Sequence, residues 1–305
     1  MINQTTVTEF LLLGFSDFPE LQPLYFIAFL FIYLVTLTGN ILLIVTVAQH
    51  QKLHSPMYFF LVNLSFLDAS YISTIVPKSI IDSLLNNRQI SFPECITQAF
   101  WVLTFTGTEL SILTVMAYDR YIAICYPLQY SLIMNWRACF QMAAASWACS
   151  AINGIVQIIN TWRLYFCSSN VIEHFFCDIP QLLVLSCTDT TVNQGLLLAI
   201  AVFVGSFCFF FVFVSYAYIF SAVFKIQSIQ ARYKVFSTCT PHLTVFSLFV
   251  ITASFSYLRP KAWSSLPMDM MAAILYTVLP PLMNPIIYSL RNKDIKICLM
   301  KMLKG

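Results

Sequence analysis

Three groupings of side chains in this sequence could do chemistry. Asp119 and Arg120 stand side by side, flanked by Tyr118 and Tyr121, in the run Met116-Ala-Tyr-Asp-Arg-Tyr-Ile-Ala-Ile-Cys125 that closes a long apolar stretch. Ionisable residues in a hydrophobic span are costly and by default mark functional sites. An acid and a base as neighbours lower that cost for each other. The pair is therefore either a switchable ion pair or an interfacial pair that only anchors a helix end. Asp68 and Glu109 are the two carboxylates that fall deep inside apolar stretches. Burial disfavours the charged form of an isolated carboxyl, whereas a hard cation shared by both would keep them ionised; satisfaction by hydrogen bonds and water is the alternative. His174, Cys177 and Asp178 together have the composition of a metal-ligand set. No apolar stretch pairs a nucleophile with a base, so no enzymatic activity is expected.

These residues need helices to position them. The chain has 305 residues, 59% hydrophobic and 10% charged, where a soluble domain would carry about a quarter charged residues. A helix of about 20 apolar residues crosses a bilayer, and seven stretches meet that length, near 24–47, 57–80, 98–122, 138–160, 195–224, 237–257 and 268–290. A closed barrel would need many alternating segments of about ten residues, and none appears. The expected architecture is an all-α membrane protein, a seven-transmembrane helix bundle with a short amphipathic interfacial helix at its C-terminal end. An extracellular N-terminus (1–23), a transmembrane domain (24–290) and a cytoplasmic helix and tail (291–305) follow. In that last segment Ile295, Cys298, Leu299 and Met302 share one helical face, with Lys293, Lys296 and Lys304 largely elsewhere, as in a helix lying on membrane lipids. Cys298 is there either an apolar contact or a palmitoylation site. A transporter or channel would show ion-path charges in several spans or inverted repeats, and this chain has neither. No nucleic-acid partner is expected.

Orientation follows from Lys and Arg, which favour cytoplasmic loops. With the N-terminus outside, eleven of the sixteen fall inside, among them Lys52, Arg137, Lys225, Arg232 and Lys234, and five fall outside. Asn3-Gln4-Thr5 is then a glycosylation acceptor on the outer side, with Asn3 as the site. Of the ten cysteines, Cys95, Cys167, Cys177 and Cys187 lie in outer segments, where disulfides persist; four cysteines permit three pairings. The longest outer loop, about 162–192, holds three of them and is expected to be pinned across the outer mouth.

With seven helices and Asp119-Arg120 at the inner end of the third, the chain resembles a rhodopsin-like G-protein-coupled receptor. Asn284-Pro-Ile-Ile-Tyr288 closes the seventh span in the form that superfamily shows. Proline there removes a backbone donor and kinks the helix, leaving a polar bend at which Tyr288 can swing. Five further motifs stand in order. They are Leu53-His-Ser-Pro-Met-Tyr-Phe-Phe-Leu61 with Leu64, Ser65 and Asp68; Met116–Cys125 followed by Pro127, Leu128 and Tyr130; and His174-Phe-Phe-Cys-Asp178 followed by Leu185-Ser-Cys187. Lys234-Val-Phe-Ser-Thr-Cys239 with His242 and Pro281–Asn292 complete the set. Together, from Gly39-Asn40 to Asn292, they are similar to the motifs of odorant (olfactory) receptors of the tetrapod type (class II). There are two departures. Phe249-Val-Ile-Thr252 stands where those receptors usually read Phe-Tyr-Gly-Thr, so Val250 replaces an aromatic that would sit beneath the ligand. Pro280-Pro281 stands where one proline is usual.

The resemblance implies an odorant-type receptor of the plasma membrane that binds small, mostly hydrophobic neutral molecules. It would activate a stimulatory (Golf/Gs-type) heterotrimeric G protein and raise cyclic AMP; a same-fold receptor for a non-odorant metabolite in another tissue is the alternative. The implied switch comprises Asp119, Arg120 and Tyr121 with Tyr216, Asn284, Pro285 and Tyr288. Asp119 holds Arg120 at rest, and an outward swing of helix six frees Arg120 to face the G-protein α-subunit, with Tyr216 and Tyr288 as its polar partners. Asp68 and Glu109 are implied to share a sodium ion that stabilises the inactive state; no other cofactor is expected. Cys95 is implied to pair with Cys177, and Cys167 with Cys187, which takes a thiolate away from the His174 grouping.

The ligand pocket is expected between helices three, five, six and seven, beneath the long outer loop. Val102, Leu103, Thr106 and Gly107 would line it from helix three, Ala253, Ser254 and Tyr257 from helix six, and Tyr276 and Thr277 from helix seven. A mostly apolar cavity with a few hydroxyls suits a small neutral molecule. Amine receptors place an Asp where this chain has Val102, and a buried ammonium without a partner is strongly disfavoured. Charged monoamines are therefore expected to be poor agonists of the full chain in a cyclic-AMP reporter assay; a charged amine as the best agonist of a small-molecule panel would contradict this reading of Val102.

Overall fold

The computed structural model describes residues 8–13, 22–85, 88–166, 170–257 and 265–302, and seven of its helices are long and apolar enough to cross a membrane. In chain order the elements are β1 (Glu9–Leu12), α1 (Gln22–Gln49), α2 (Pro56–Leu85), β2 (Gln89–Ser91), α3 (Phe92–Cys125), α4 (Tyr130–Ile133) and α5 (Trp136–Trp162). They continue with β3 (Val171–Ile172), α6 (Ile179–Leu185), α7 (Thr191–Lys225), α8 (Ile229–Tyr257), α9 (Leu266–Arg291) and α10 (Lys293–Met302). The spans are α1, α2, α3, α5, α7, α8 and α9, the bundle that the apolar stretches predict. Several run past the apolar stretch that announced them, α8 most of all at its start. Hydropathy marks only the part suited to hydrocarbon, while i→i−4 hydrogen bonds carry a helix on into water. The end holding Cys95 and Cys177 is the one expected outside and is called outer; the end holding Arg120 is called inner.

Helix α3 is the hub. It packs against α2, α5, α7 and α8, and its buried residues run from Cys95 to Ile122. Helix α7 instead exposes Phe203, Phe207, Phe210 and Phe213, the face a lipid-embedded helix turns to hydrocarbon. Helix α9 carries Pro280, Pro281 and Pro285 inside it. Pro285 has no N–H, so the carbonyl of Pro281, four residues earlier, loses its helical donor. Asn40 of α1 supplies the replacement: its Nδ2 donates to the Pro281 oxygen at 3.1 Å and to the Thr36 oxygen at 3.0 Å. The neighbouring Gly39 makes room for this approach, since a Cβ there would lie 3.3 Å from Pro285 Cγ.

The outer end departs from a purely helical plan. β1 pairs antiparallel with β2 and parallel with β3, giving a small sheet in the order β2-β1-β3. Phe10 of β1 is wholly buried, its ring edge-on to Phe166 at 5.4 Å. A segment expected only as an extracellular N-terminus is thus stitched to two loops. The long outer loop is pinned as expected. Cys95 and Cys177 form a disulfide across a sequence separation of 82, the Cys177 N–H donates to Gln98 Oε1 at 2.7 Å, and Ser79 Oγ donates to the Phe175 oxygen at 3.2 Å. Cys187 is also disulfide-bonded; Cys167 and Asn3 lie outside the described residues. At the inner end α10 buries Ile295 and Cys298 and packs on α1 and α9. The Asn292 side chain opens it by accepting from the N–H groups of Asp294 and Ile295.

Replacing Cys95 by Ser should release this roof and prevent display at the cell surface, read by antibody staining of unpermeabilised cells. Normal display with a normal response would contradict the anchoring role.

Candidate functional site

Near its inner end, α3 carries an ion pair whose carboxylate accepts three hydrogen bonds. Arg120 Nε donates to Asp119 Oδ2 at 3.0 Å, and Arg120 Nη2 donates to the same oxygen. Asp119 is wholly buried, and its other oxygen accepts the Tyr130 hydroxyl at 2.7 Å. Burial first, then the Asp119 charge, hold the Tyr130 phenol above its usual range, so it remains a donor. Tyr121 stands apart from this pair: its hydroxyl donates to Tyr126 at 3.4 Å, and its ring lies 5.6 Å from that of Tyr218.

Above the ion pair, one imidazole ties three helices together. His242 of α8 is wholly buried, with Nε2 2.8 Å from the Leu113 oxygen of α3. A carbonyl only accepts, so Nε2 carries the proton and a neutral ring presents a bare Nδ1. Tyr216 of α7 donates its hydroxyl to that nitrogen at 2.8 Å. Tyr288 of α9 is buried as well, and its hydroxyl has no partner among the described residues.

Half-way up the bundle, Asn284 brings both membrane carboxylates together. Its Nδ2 donates to Asp68 Oδ2 at 2.9 Å and lies 3.4 Å from Glu109 Oε1. One amide thus joins α9 to α2 and α3, on the turn where Pro285 interrupts the α9 ladder. Asp68 Oδ1 and Asn284 Oδ1 are buried without partners among the described residues. Oxygen atoms left over beside a second carboxylate are the donor set a hard cation takes.

The outer end holds a second polar chain. Tyr257 of α8 donates to Asp178 Oδ2 of the long loop at 2.8 Å. Its ring stands edge-on to Tyr276 of α9 at 5.2 Å, and Tyr276 donates to Thr106 Oγ1 of α3 at 3.2 Å. Burial pushes the Asp178 carboxyl up to about 6, against the lowering effect of the Tyr257 hydrogen bond. Of the other residues expected to line the pocket, Val102 is buried in the main core and Leu103 packs on the cluster around Phe10. Gly107 sits at a helix contact, where a Cβ would come within 3.0 Å of Ser150 Oγ on α5. Thr277 donates to the Ala273 oxygen of its own helix at 2.7 Å. Ala253 and Ser254 are half-buried, and Val250 packs half-buried on the main core. The His174 grouping is dispersed. Cys177 is in the disulfide, Asp178 meets Tyr257, and the Gln181 amide lies 3.2 Å from His174 Nε2. Among the described residues no cluster of three or more His, Cys, Asp or Glu could hold a metal ion.

His242, Tyr130 and Asn40 stand within the sequence motifs, but their roles become visible only in the fold. A lone histidine on an apolar helix face was the available signal for the first. Tyr71 of α2 carries no signal in the sequence, because a tyrosine in a membrane helix is unremarkable until its neighbours are known.

Comparison with known proteins agrees with this geometry. The olfactory receptor family profile matches residues 29–305. Human (Homo sapiens) Olfactory receptor 14C36 is 48% identical, covering 100% of this chain and 97% of its own length. Mouse (Mus musculus) Olfactory receptor 5AR1 is 42% identical, over 99% of this chain and 97% of its own length. The crystal structure of squid rhodopsin superposes with a TM-score of 0.76 at 17% identity, covering 94% of this chain and 82% of that one, a likeness of fold.

A carboxyl raised from 3.8 to about 6 by folding binds more protons in the native than in the unfolded chain across that window. Its contribution to stability is therefore present at the acid end and is lost as pH rises through about 4 to 6. The thermal midpoint of the purified full chain should show this loss, and Asp178→Asn should flatten the slope; an identical slope in the variant would contradict the assignment.

Proposed function

The chain belongs to the olfactory receptor family of G-protein-coupled receptors, which is not a family of enzymes, and from that premise we propose how it signals. It sits in the plasma membrane with its N-terminus outside, binds small, mostly apolar neutral molecules at the outer polar chain, and activates a stimulatory (Golf/Gs-type) G protein that raises cyclic AMP. The observation that carries this reading is the Asp119–Arg120–Tyr130 lock at the inner end of α3, directly below the His242 tie.

The geometry supports a two-state account. At rest Arg120 is neutralised by Asp119, and His242 holds α8 against α3 and α7. An outward movement of the inner end of α8 would break the His242–Leu113 and Tyr216–His242 bonds together, because one ring makes both. Tyr216 would then be free, and Tyr288 already carries an unmatched hydroxyl; both would turn to Arg120 as it leaves Asp119 to face the G-protein α-subunit. A ligand drives this change only to the extent that it binds the open state better. The aromatic absent at Val250 does not join the pocket to this machinery, so the ligand acts through the Tyr257 and Tyr276 contacts on α8 and α9. Asp68 and Glu109 with the free Asn284 Oδ1 would hold a sodium ion, whose charge keeps both carboxylates ionised. Asn284 itself holds α9 to α2 and α3 through its amide.

Arg120→Ala should abolish ligand-stimulated cyclic-AMP production while leaving surface staining measurable. Undiminished signalling by a displayed variant would remove Arg120 from its assigned role.

A further inference from the structure

Two features of the outer polar chain have no explanation in helix packing. The first is Asp178, a buried carboxylate with no bonded cation among the described residues. A carboxylate only accepts, with about four lone-pair positions. The Tyr257 hydroxyl takes one of them at 2.8 Å. The second is Tyr71 of α2. It is buried, and its hydroxyl lies beside Thr106 without a well-formed hydrogen bond among the described residues. Thr106 accepts the Tyr276 hydroxyl, and the Tyr276 ring stands against that of Tyr257, which bonds Asp178, so the Tyr71 hydroxyl and the carboxylate belong to one polar chain. Burying an unmatched hydroxyl is unfavourable, and a ligand that matches it recovers that loss.

The chemistry that satisfies both features is narrow. An ether or a ketone accepts from Tyr71 but offers Asp178 nothing. A hydrocarbon matches neither. An ammonium donates to Asp178 but has no lone pair to accept from Tyr71. A hydroxyl carries one proton to give and lone pairs to receive. We propose that the outer cluster is a hydroxyl-recognition site, and that the ligands of this receptor are small apolar alcohols and phenols whose hydroxyl donates to Asp178 and accepts from Tyr71. This assignment rests on the receptor reading above and names the ligand class for it. Tyr257 is the positioning residue that holds the carboxylate, and the Tyr276–Thr106 bond closes the cluster against α3.

The test uses the full chain displayed on cells that carry a cyclic-AMP reporter. The probes are matched pairs, each an alcohol and its methyl ether, on aliphatic, terpenoid and aromatic frames. In any pair that activates, the alcohol is expected to be more potent by at least about tenfold. Tyr71→Phe and Asp178→Asn should each shrink that ratio to within about threefold. Surface staining accompanies every variant, and should Asp178→Asn fail to reach the surface, Tyr71→Phe decides the matter alone. An ether as potent as its alcohol, a ratio unchanged in Tyr71→Phe, or a charged amine more potent than any alcohol overturns the hydroxyl assignment and leaves the receptor reading standing. A displayed receptor silent to every probe overturns the receptor reading, and this assignment with it.

Discussion

Hydrocarbon offers no hydrogen bonds, and every backbone polar group carried into it must find a partner on the chain itself. That constraint organises this molecule. Seven helices satisfy their own backbones, but three prolines in α9 break the arrangement, and the breach is closed from outside the helix. Asn40 reaches from α1 to the carbonyl that Pro285 leaves free. On the same turn Asn284 projects to the two carboxylates of α2 and α3. The interruption of one ladder thus makes α9 the helix that α1, α2 and α3 all hold by side-chain hydrogen bonds.

The same constraint explains why the functional groups form separate clusters. The ion pair on α3, the imidazole tie on α8 and the polar chain at the outer mouth each join at least two elements, and apolar packing fills the space between them. A buried hydrogen-bonded group has a few discrete arrangements rather than a continuum, which is what a two-state switch needs. His242 illustrates the economy: one ring bonds α3 and α7 at once, so an outward movement of α8 strains both bonds together. The outer chain runs from loop to α8, then α9, then α3, so a molecule that alters it touches three of the helices that carry groups of the proposed switch.

Much of this was legible in the chain. The spans were plain because an apolar run long enough to cross a bilayer is a local property. Asp119 and Arg120 were plain because they are neighbours, and their membrane setting made a functional pair worth considering. The motifs around Asn284 and Tyr288 pointed to the family, and the family profile and relatives bear that out. The strand at Glu9–Leu12 was not legible. Four residues of unremarkable composition become a strand only because β2 and β3 offer edges on both sides. Gly107 was legible only in part for a related reason. Its place on α3 suggested the cavity, and only the packing shows how closely Ser150 of α5 approaches it.

The division follows sequence distance. What the amino-acid sequence by itself determined was the number of membrane-spanning helices, the expected sidedness of their loops and the identity of the adjacent charges, all set by composition within a turn or a span. What only the tertiary structure decided was which distant groups meet. Asn40 meets Pro281, His242 meets Leu113, and Tyr257 meets Asp178, across separations of 241, 129 and 79 residues. Such pairs depend on how the helices pack, and packing is settled by the whole set of buried polar groups that must be matched together.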